Sequence, residues 1–207
     1  LRSHSYEPWG TAIPLNMPIY GTRPEAIKMA PIVAALHEST TLEQFTTVTG
    51  QHRSMLDQVN GLFGIVPDHD LNIFSPGQTL SGILTKTIDG LDKLFSVSRP
   101  DAVVVQGDTT TSTAGAIAAF YHSIPVVHVE AGLRSGDLFS PFPEEANRKI
   151  TSQIASLHLA PTSTSRANLL KENIPSADIV VTGNTVIDAL FMTVDKKVPF
   201  TDPALEE

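Results

Sequence analysis

Cysteine is absent from the 207 residues, tryptophan occurs once, and positive charge is scarce, with 14 Lys and Arg against 22 Asp and Glu. Without cysteine there is no disulfide scaffold, zinc finger, iron–sulfur site or thiol nucleophile, a composition compatible with a reducing cytoplasm. The formal net charge of −8 argues against nucleic acid or an anionic membrane as a general partner, because counterion-release binding needs a basic face. Any phosphate site must therefore be local. The apolar runs, such as residues 102–105, fall far short of the roughly 18 residues of a membrane span. The phosphate-binding patterns G-x-G-x-x-G and G-x-x-x-x-G-K-[ST] are missing, and so is the G-x-S-x-G elbow of serine hydrolases, which weakens nicotinamide, flavin, nucleoside triphosphatase and serine hydrolase readings.

What is present is globular. Hydrophobic residues make up 41% and charged residues 17%, an ordinary soluble composition with enough apolar material for one large domain or two small ones. Residues 1–16 carry neither a basic n-region with an apolar h-region nor any periodicity, so they read as an irregular extension or cloning remnant, with Trp9 a surface or unordered aromatic. Residues 17–193 alternate between apolar runs and helical periodicity. Strands are expected at Leu15–Tyr20 and at residues 45–49, 70–73, 101–106, 125–129, 157–160 and 179–181. Helices are expected at residues 53–63, 109–122, 144–156, 163–171 and 185–193, besides two placed by their apolar faces. Met29, Ile32, Val33 and Leu36 fall at i, i+3, i+4 and i+7, after Pro24 in the first turn and with a kink expected at Pro31. Leu80, Ile83, Leu84, Ile88, Leu91, Leu94 and Phe95 share one long face. About seven strand–helix units predict an α/β fold with a doubly wound parallel sheet. Residues 194–207, with two prolines, read as a linker or frayed tail.

In such a sheet the ligand lies outside the carboxyl ends of the strands, near the point where strand order reverses. The residues after three strands are informative: Gly21-Thr22-Arg23-Pro24-Glu25, Gly107-Asp108-Thr109-Thr110-Thr111, and Glu130-Ala131-Gly132-Leu133-Arg134. If these strands are neighbours, one guanidinium and two carboxylates meet beside helix N-termini that favour an anion. That is a pocket for an anionic ligand with acid/base groups beside it, which points to metal-free proton transfer on a phosphorylated substrate. Each residue also has a plainer reading. Arg23 can pair with a neighbouring carboxylate, and Asp108 can cap a helix. Glu130 follows an apolar strand directly and needs a partner or a raised pKa. Glu144 and Glu145 complement a helix dipole, His128 reads as a satisfied core histidine, and Asp68-His69-Asp70 reads as a solvated loop rather than a metal cluster.

The motifs GTRPEAIKMAPIV, VVVQGDTTTSTAGAIAAF, HVEAGLRSGDLFSPFPEEANRKI and TGNTVIDAL together resemble the bacterial non-hydrolysing UDP-N-acetylglucosamine 2-epimerases, almost without gaps from about residue 18 to residue 190. The resemblance implies one half of a glycosyltransferase-B-like architecture, in which two Rossmann-like domains enclose the substrate. The second domain, which brings much of the uridine and diphosphate binding, has no counterpart in this sequence, so the 207 residues alone are expected to be inactive. The implied reaction interconverts UDP-N-acetylglucosamine and UDP-N-acetylmannosamine by eliminating UDP to a 2-acetamidoglucal and adding it back. Asp108, Glu130 and Glu144 are the implied catalytic carboxyls. Arg23, as the phosphate-side cation, with Lys28, Gln51, His52 and Arg134, are the implied substrate-binding residues. No metal or redox cofactor is implied.

The implied partners are UDP-N-acetylglucosamine and UDP, with no nucleic acid or membrane, and the full-length protein is expected to be a cytoplasmic homodimer. Hydrolysing relatives typically carry Arg after the Gly-Asp pair, so Thr109 favours the non-hydrolysing branch. Gln51, His52 and Glu144 also match the second, activating UDP-N-acetylglucosamine site of many bacterial members, whereas Ser54 and Gly77 depart from the longer residues found there. Two alternatives remain at this point: a catalytically silent sugar-nucleotide-binding fragment, and the acceptor-side lobe of a glycosyltransferase.

Overall fold

The computed structural model describes residues 13–194. The expectations for Trp9 and for nearly all of the 194–207 tail lie outside the described residues. Eight strands form one all-parallel sheet: β1 (Leu15–Tyr20), β2 (Glu43–Gln44), β3 (Thr47–Val48), β4 (His69–Asp70), β5 (Ala102–Gln106), β6 (Val126–Val129), β7 (Leu157–Ala160) and β8 (Ile179–Val181). The order is β4-β3-β1-β5-β6-β7-β8, with β2 also beside β1. The chain runs outward from β1 to β4, crosses back and continues from β5 to β8. Strand order therefore reverses between β1 and β5, which makes the sheet doubly wound.

Alternation along the central strands sends side chains to two cores. Met17, Ile19, Val103 and Val105 meet Leu91, Leu94, Phe95 and Ala116 from α3 (Leu80–Val97) and α4 (Thr110–Tyr121). Tyr20 and Val104 face the other way, onto Ala26, Met29, Val33, Leu56 and Val59 from α1 (Arg23–Glu38) and α2 (Arg53–Phe63). Three more helices follow: α5 (Glu144–Ile154), α6 (Ser163–Lys171) and α7 (Thr185–Val194). The last of these packs on α1.

Several local expectations are refined. The strand at residues 45–49 divides into β2 and β3, because Thr46 turns its N–H to Asp68 Oδ2 at 2.7 Å and its carbonyl to the Asp68 and His69 N–H groups. The strand at residues 70–73 shortens to β4. Asn72 lies at φ +48° and donates its N–H to Asp70 Oδ1 at 2.9 Å, an Asx-type turn that ends the pairing. β1 starts at Leu15 because Leu15 N–H donates to Asp101 Oδ2 and the Leu15 carbonyl accepts from Asp101 N–H, both at 2.8 Å. α1 is continuous through Pro31. The N-cap of α4 is Thr109 rather than Asp108, its hydroxyl accepting from Ser112 N–H at 3.1 Å, which leaves the Asp108 carboxylate for other work. Among the described residues no helix is long and apolar enough to cross a membrane.

Candidate functional site

β1, β5 and β6 lie side by side, so the loops after them share one edge of the sheet at the reversal point. Their turns are tight. Gly107, Glu130 and Gly132 all have positive φ, at 69°, 63° and 90°, and a Cβ on Gly21 would overlap Thr49 Oγ1. Glu130 thus takes a left-handed conformation that non-glycine residues seldom adopt.

Glu25 ties two of these loops together. It completes a capping box with Thr22. One carboxylate oxygen accepts from Gly21 N–H, Thr22 N–H and Thr22 Oγ1 at 3.0, 2.8 and 2.8 Å. The other accepts from Thr109 Oγ1 at 2.5 Å. Burial pushes its pKa up, against those hydrogen bonds.

A cavity of about 400 Å³ opens beside these loops, and Arg23, Gln51, His52 and Glu144 are among its lining residues. Arg23 is exposed and forms no ion pair or side-chain hydrogen bond among the described residues. The plain reading of Arg23 as a partner for a neighbouring carboxylate finds none among the described residues; Glu25, two residues on, is buried and satisfied from within the loops. Gln51 is held by Thr111 Oγ1, which donates to Oε1 at 2.7 Å and contacts Thr49 Oγ1 at 3.1 Å. Its amide nitrogen stays available to a ligand.

Asp108, Glu130 and Lys28 form an adjoining cluster. Lys28 Nζ straddles the Glu130 carboxylate at 2.8 and 2.6 Å. Gln106 Nε2 donates to Oε2 at 2.5 Å and Asn184 Nδ2 to Oε1 at 2.8 Å. Asp108 pairs through Oδ2 with Arg148 Nη2 at 2.6 Å, and its carbonyl accepts from Asn147 Nδ2 at 2.9 Å. Burial raises the pKa of Asp108, the Arg148 guanidinium works against this, and the negative charges of Glu130 and Glu144 add to the rise. Asp108 therefore feels both of the other expected carboxyls, of which Glu144 lines the cavity.

Arg148 escaped the sequence reading. On α5, four residues after Glu144 and three after Glu145, it reaches both Asp108 and Glu145, the latter at 3.3 Å. That helical spacing was the available signal. Glu145 also receives Ser135 N–H at 3.0 Å and Gly136 N–H at 3.3 Å; burial works to raise its pKa, but these donors with Arg148 and Arg134 hold it below the ordinary value. Arg134 sits apart from the cavity lining: its guanidinium grips Glu172 at 2.8 and 2.7 Å and also donates to Ser152 Oγ and the Leu133 carbonyl. Asp68 and Asp70 serve as local braces, the first on Thr46 and the second on Arg53 and Asn72.

His128 is fully buried on β6 beneath this edge, with Nε2 2.7 Å from the Gly107 carbonyl and Nδ1 without a partner among the described residues, so the expected satisfied core histidine is satisfied at one nitrogen only. Burial drives its pKa down to about 4, and the neighbouring His158 is lowered in the same sense, chiefly by burial. The unfolded chain binds a proton at this imidazole below about pH 6.5, whereas the folded chain does so only near pH 4. Its contribution to stability is therefore lost as pH falls through that window. Denaturant unfolding at pH 7 and pH 5 should show the parent losing about 2 kcal/mol more than His128→Gln. Equal losses would mean that His128 titrates normally in the fold.

A protein-family model described as UDP-N-acetylglucosamine 2-epimerase matches residues 34–204. The chain is 58% identical over 178 residues to a UDP-N-acetylglucosamine 2-epimerase of Salmonella typhimurium, covering 86% of this chain and 47% of that protein. The crystal structure of a UDP-GlcNAc 2-epimerase from Neisseria meningitidis bound to UDP-GlcNAc superposes with a TM-score of 0.83 at 51% identity, over 87% of this chain and 50% of that one. A lipopolysaccharide outer core galactosyltransferase shares the fold alone, with a TM-score of 0.59 and 13% identity over 82% of this chain and 45% of that one. The chain spans about half the length of the curated relatives it matches.

Proposed function

Since the chain belongs to the UDP-N-acetylglucosamine 2-epimerase family, we propose that it is one half of an enzyme interconverting UDP-N-acetylglucosamine and UDP-N-acetylmannosamine by elimination and re-addition of UDP. The observation that carries this reading is the placement of Asp108 in the field of both Glu130 and Glu144 at the strand-order reversal, with Glu144 lining the same cavity as an Arg23 that has no ion pair among the described residues. In the elimination a base removes the C2 proton while the C1–O bond breaks and the electron pair leaves with UDP. Re-addition returns a proton to the opposite face, so carboxyls on different loops are needed. Asp108 follows β5 and Glu130 follows β6. Asp108, its pKa raised by burial and by two carboxylate neighbours, is the group suited to carry the proton, and Arg148 steadies it. Glu130 meets hydrogen-bond donors at each of its contacts, as befits an acceptor.

Arg23 is the cation for the departing diphosphate, with Gln51 and His52 beside it on the cavity wall. Lys28 acts on substrate through Glu130, and Arg134 braces the turn that carries Glu130. Thr109 after Asp108 fits the non-hydrolysing reaction. The reading includes UDP-N-acetylglucosamine and UDP as ligands, a homodimeric full-length protein, a cytoplasmic setting, and no cofactor, nucleic acid or membrane partner.

The test is to incubate the full-length protein that carries this half with UDP-N-acetylglucosamine alone in deuterated water. The manno epimer with deuterium at C2 is expected. A sugar nucleotide returned without deuterium overturns the proposal, and free N-acetylmannosamine as the main product would place the protein in the hydrolysing branch. Arg23→Ala in the same protein should lower kcat by about 10- to 100-fold, because the charge it stabilises develops as UDP leaves. Arg23→Lys should rescue in part, keeping the charge but losing the planar fork. Steady-state kinetics showing normal kcat in Arg23→Ala would reduce Arg23 to a surface residue.

A further inference from the structure

The TGNT segment, residues 182–185, leads into α7, whose first residue is Thr185, and is remote in sequence from every group assigned above, yet it reaches two of them. Asn184 Nδ2 donates to Glu130 Oε1 at 2.8 Å across 54 residues. Thr185 Oγ1 donates to the Lys28 carbonyl at 2.7 Å across 157 residues. The Asn184 amide has no freedom to flip. Its Oδ1 accepts Val186 N–H at 3.0 Å, the contact of a helix N-cap, so its nitrogen must face the carboxylate.

The pattern of donors on Glu130 shows what this adds. Lys28 Nζ touches both oxygens and so permits the carboxylate to rotate beneath it. Gln106 and Asn184 each hold a single oxygen, which sets the plane of the group. A reaction that delivers a proton to one face of a sugar ring depends on that plane, because misplacement by a fraction of an ångström weakens the transfer.

We propose that Asn184 is a positioning residue of the reaction, orienting the Glu130 carboxylate while capping α7, with Thr185 fixing the Lys28 backbone alongside. The kinetic part rests on the epimerase reading above. Cap and positioning roles separate cleanly by substitution. Aspartate and serine cap helices about as well as asparagine, but aspartate sets a second negative charge against Glu130 and serine is too short to keep the bond.

In the full-length protein, Asn184→Asp and Asn184→Ser should lower kcat by about 10- to 100-fold with KM within about 3-fold, and Asn184→Ser should melt close to the parent. Retention of kcat within about 3-fold by both variants overturns the proposal, since a cap alone would tolerate either change. A second measurement needs no activity. Asn184→Asp should lower the melting temperature, and combining it with Glu130→Gln, which exchanges donor and acceptor, should recover at least half of that loss. Additive losses overturn the contact itself. If the parent enzyme turns over no sugar nucleotide, the epimerase reading fails and this coupling alone decides the geometry.

Discussion

In the full-length protein, Glu130→Gln and Asp108→Asn are each expected to lower turnover by about 10²- to 10⁴-fold, the scale for removing a general acid or base. The two substitutions keep size, so shape is preserved, while the charge is lost and one accepting oxygen becomes an N–H donor, which at Glu130 faces the donors that held the carboxylate. Stability should move far less than rate. Lys28, left without its ion pair by Glu130→Gln, has a quarter of its side chain exposed and can rehydrate. Arg148, deprived of the Asp108 charge, keeps Glu145. Asp108→Asn also removes a group whose proton affinity is raised by burial and by its neighbours' charge, so it should suffer the larger loss where proton return limits the rate. Steady-state kinetics and thermal melts on the same preparations decide the matter. Near-normal turnover in either variant would make that residue a packing or capping group, and so would a large fall in melting temperature with a modest kinetic loss.

Much of this arrangement was legible in the sequence, for identifiable reasons. The continuous apolar run of β5 and the Gly-Thr-Arg-Pro break after β1 announce buried parallel strands ending in loops, and the strand-reversal rule then brings Arg23, Asp108 and Glu130 to one edge. The peripheral strands were less legible. β2, β3 and β4 are two residues each and are shaped by side-chain bonds from Asp68 and Asp70 to backbone amides, which hydropathy does not register. Partners delivered by later helices were not legible either. Arg148 reaches Asp108 because α5 packs on α4, and Asn184 reaches Glu130 because β6, β7 and β8 lie side by side; nothing local ties residue 184 to residue 130. Arg134 is the converse case. The resemblance implied a substrate contact for it, and the structure shows its guanidinium paired with Glu172, the C-cap of α6.

Gly132→Ala should be among the most destabilising single-methyl additions available to this chain, at about 3–5 kcal/mol. Two costs combine. At φ +90° an alanine pays roughly 1–2 kcal/mol for the left-handed side of backbone space. The new Cβ would also overlap the Ser165 carbonyl oxygen, sit 2.8 Å from its carbon and 3.0 Å from Leu169 Cγ. Two of those atoms are backbone of α6, so no rotamer change relieves the contact and the helix itself must shift. Against a total stability of about 5–15 kcal/mol the loss is severe.

Gly64 supplies the control, since it has φ +70° with nothing within 4 Å of a built Cβ. Gly64→Ala should therefore cost only the conformational part, about 1–2 kcal/mol. Denaturant unfolding of the two variants isolates the clash by difference. Equal losses would show that α6 is not seated against the turn after β6. A larger loss at Gly132 also bears on the site, because this turn carries Glu130 two residues earlier. With the Gly132 carbonyl accepting from Asn168 Nδ2 on α6 at 3.0 Å and Ala131 N–H donating to the Leu159 carbonyl on β7 at 3.0 Å, the support of both elements keeps a strained glutamate backbone in place.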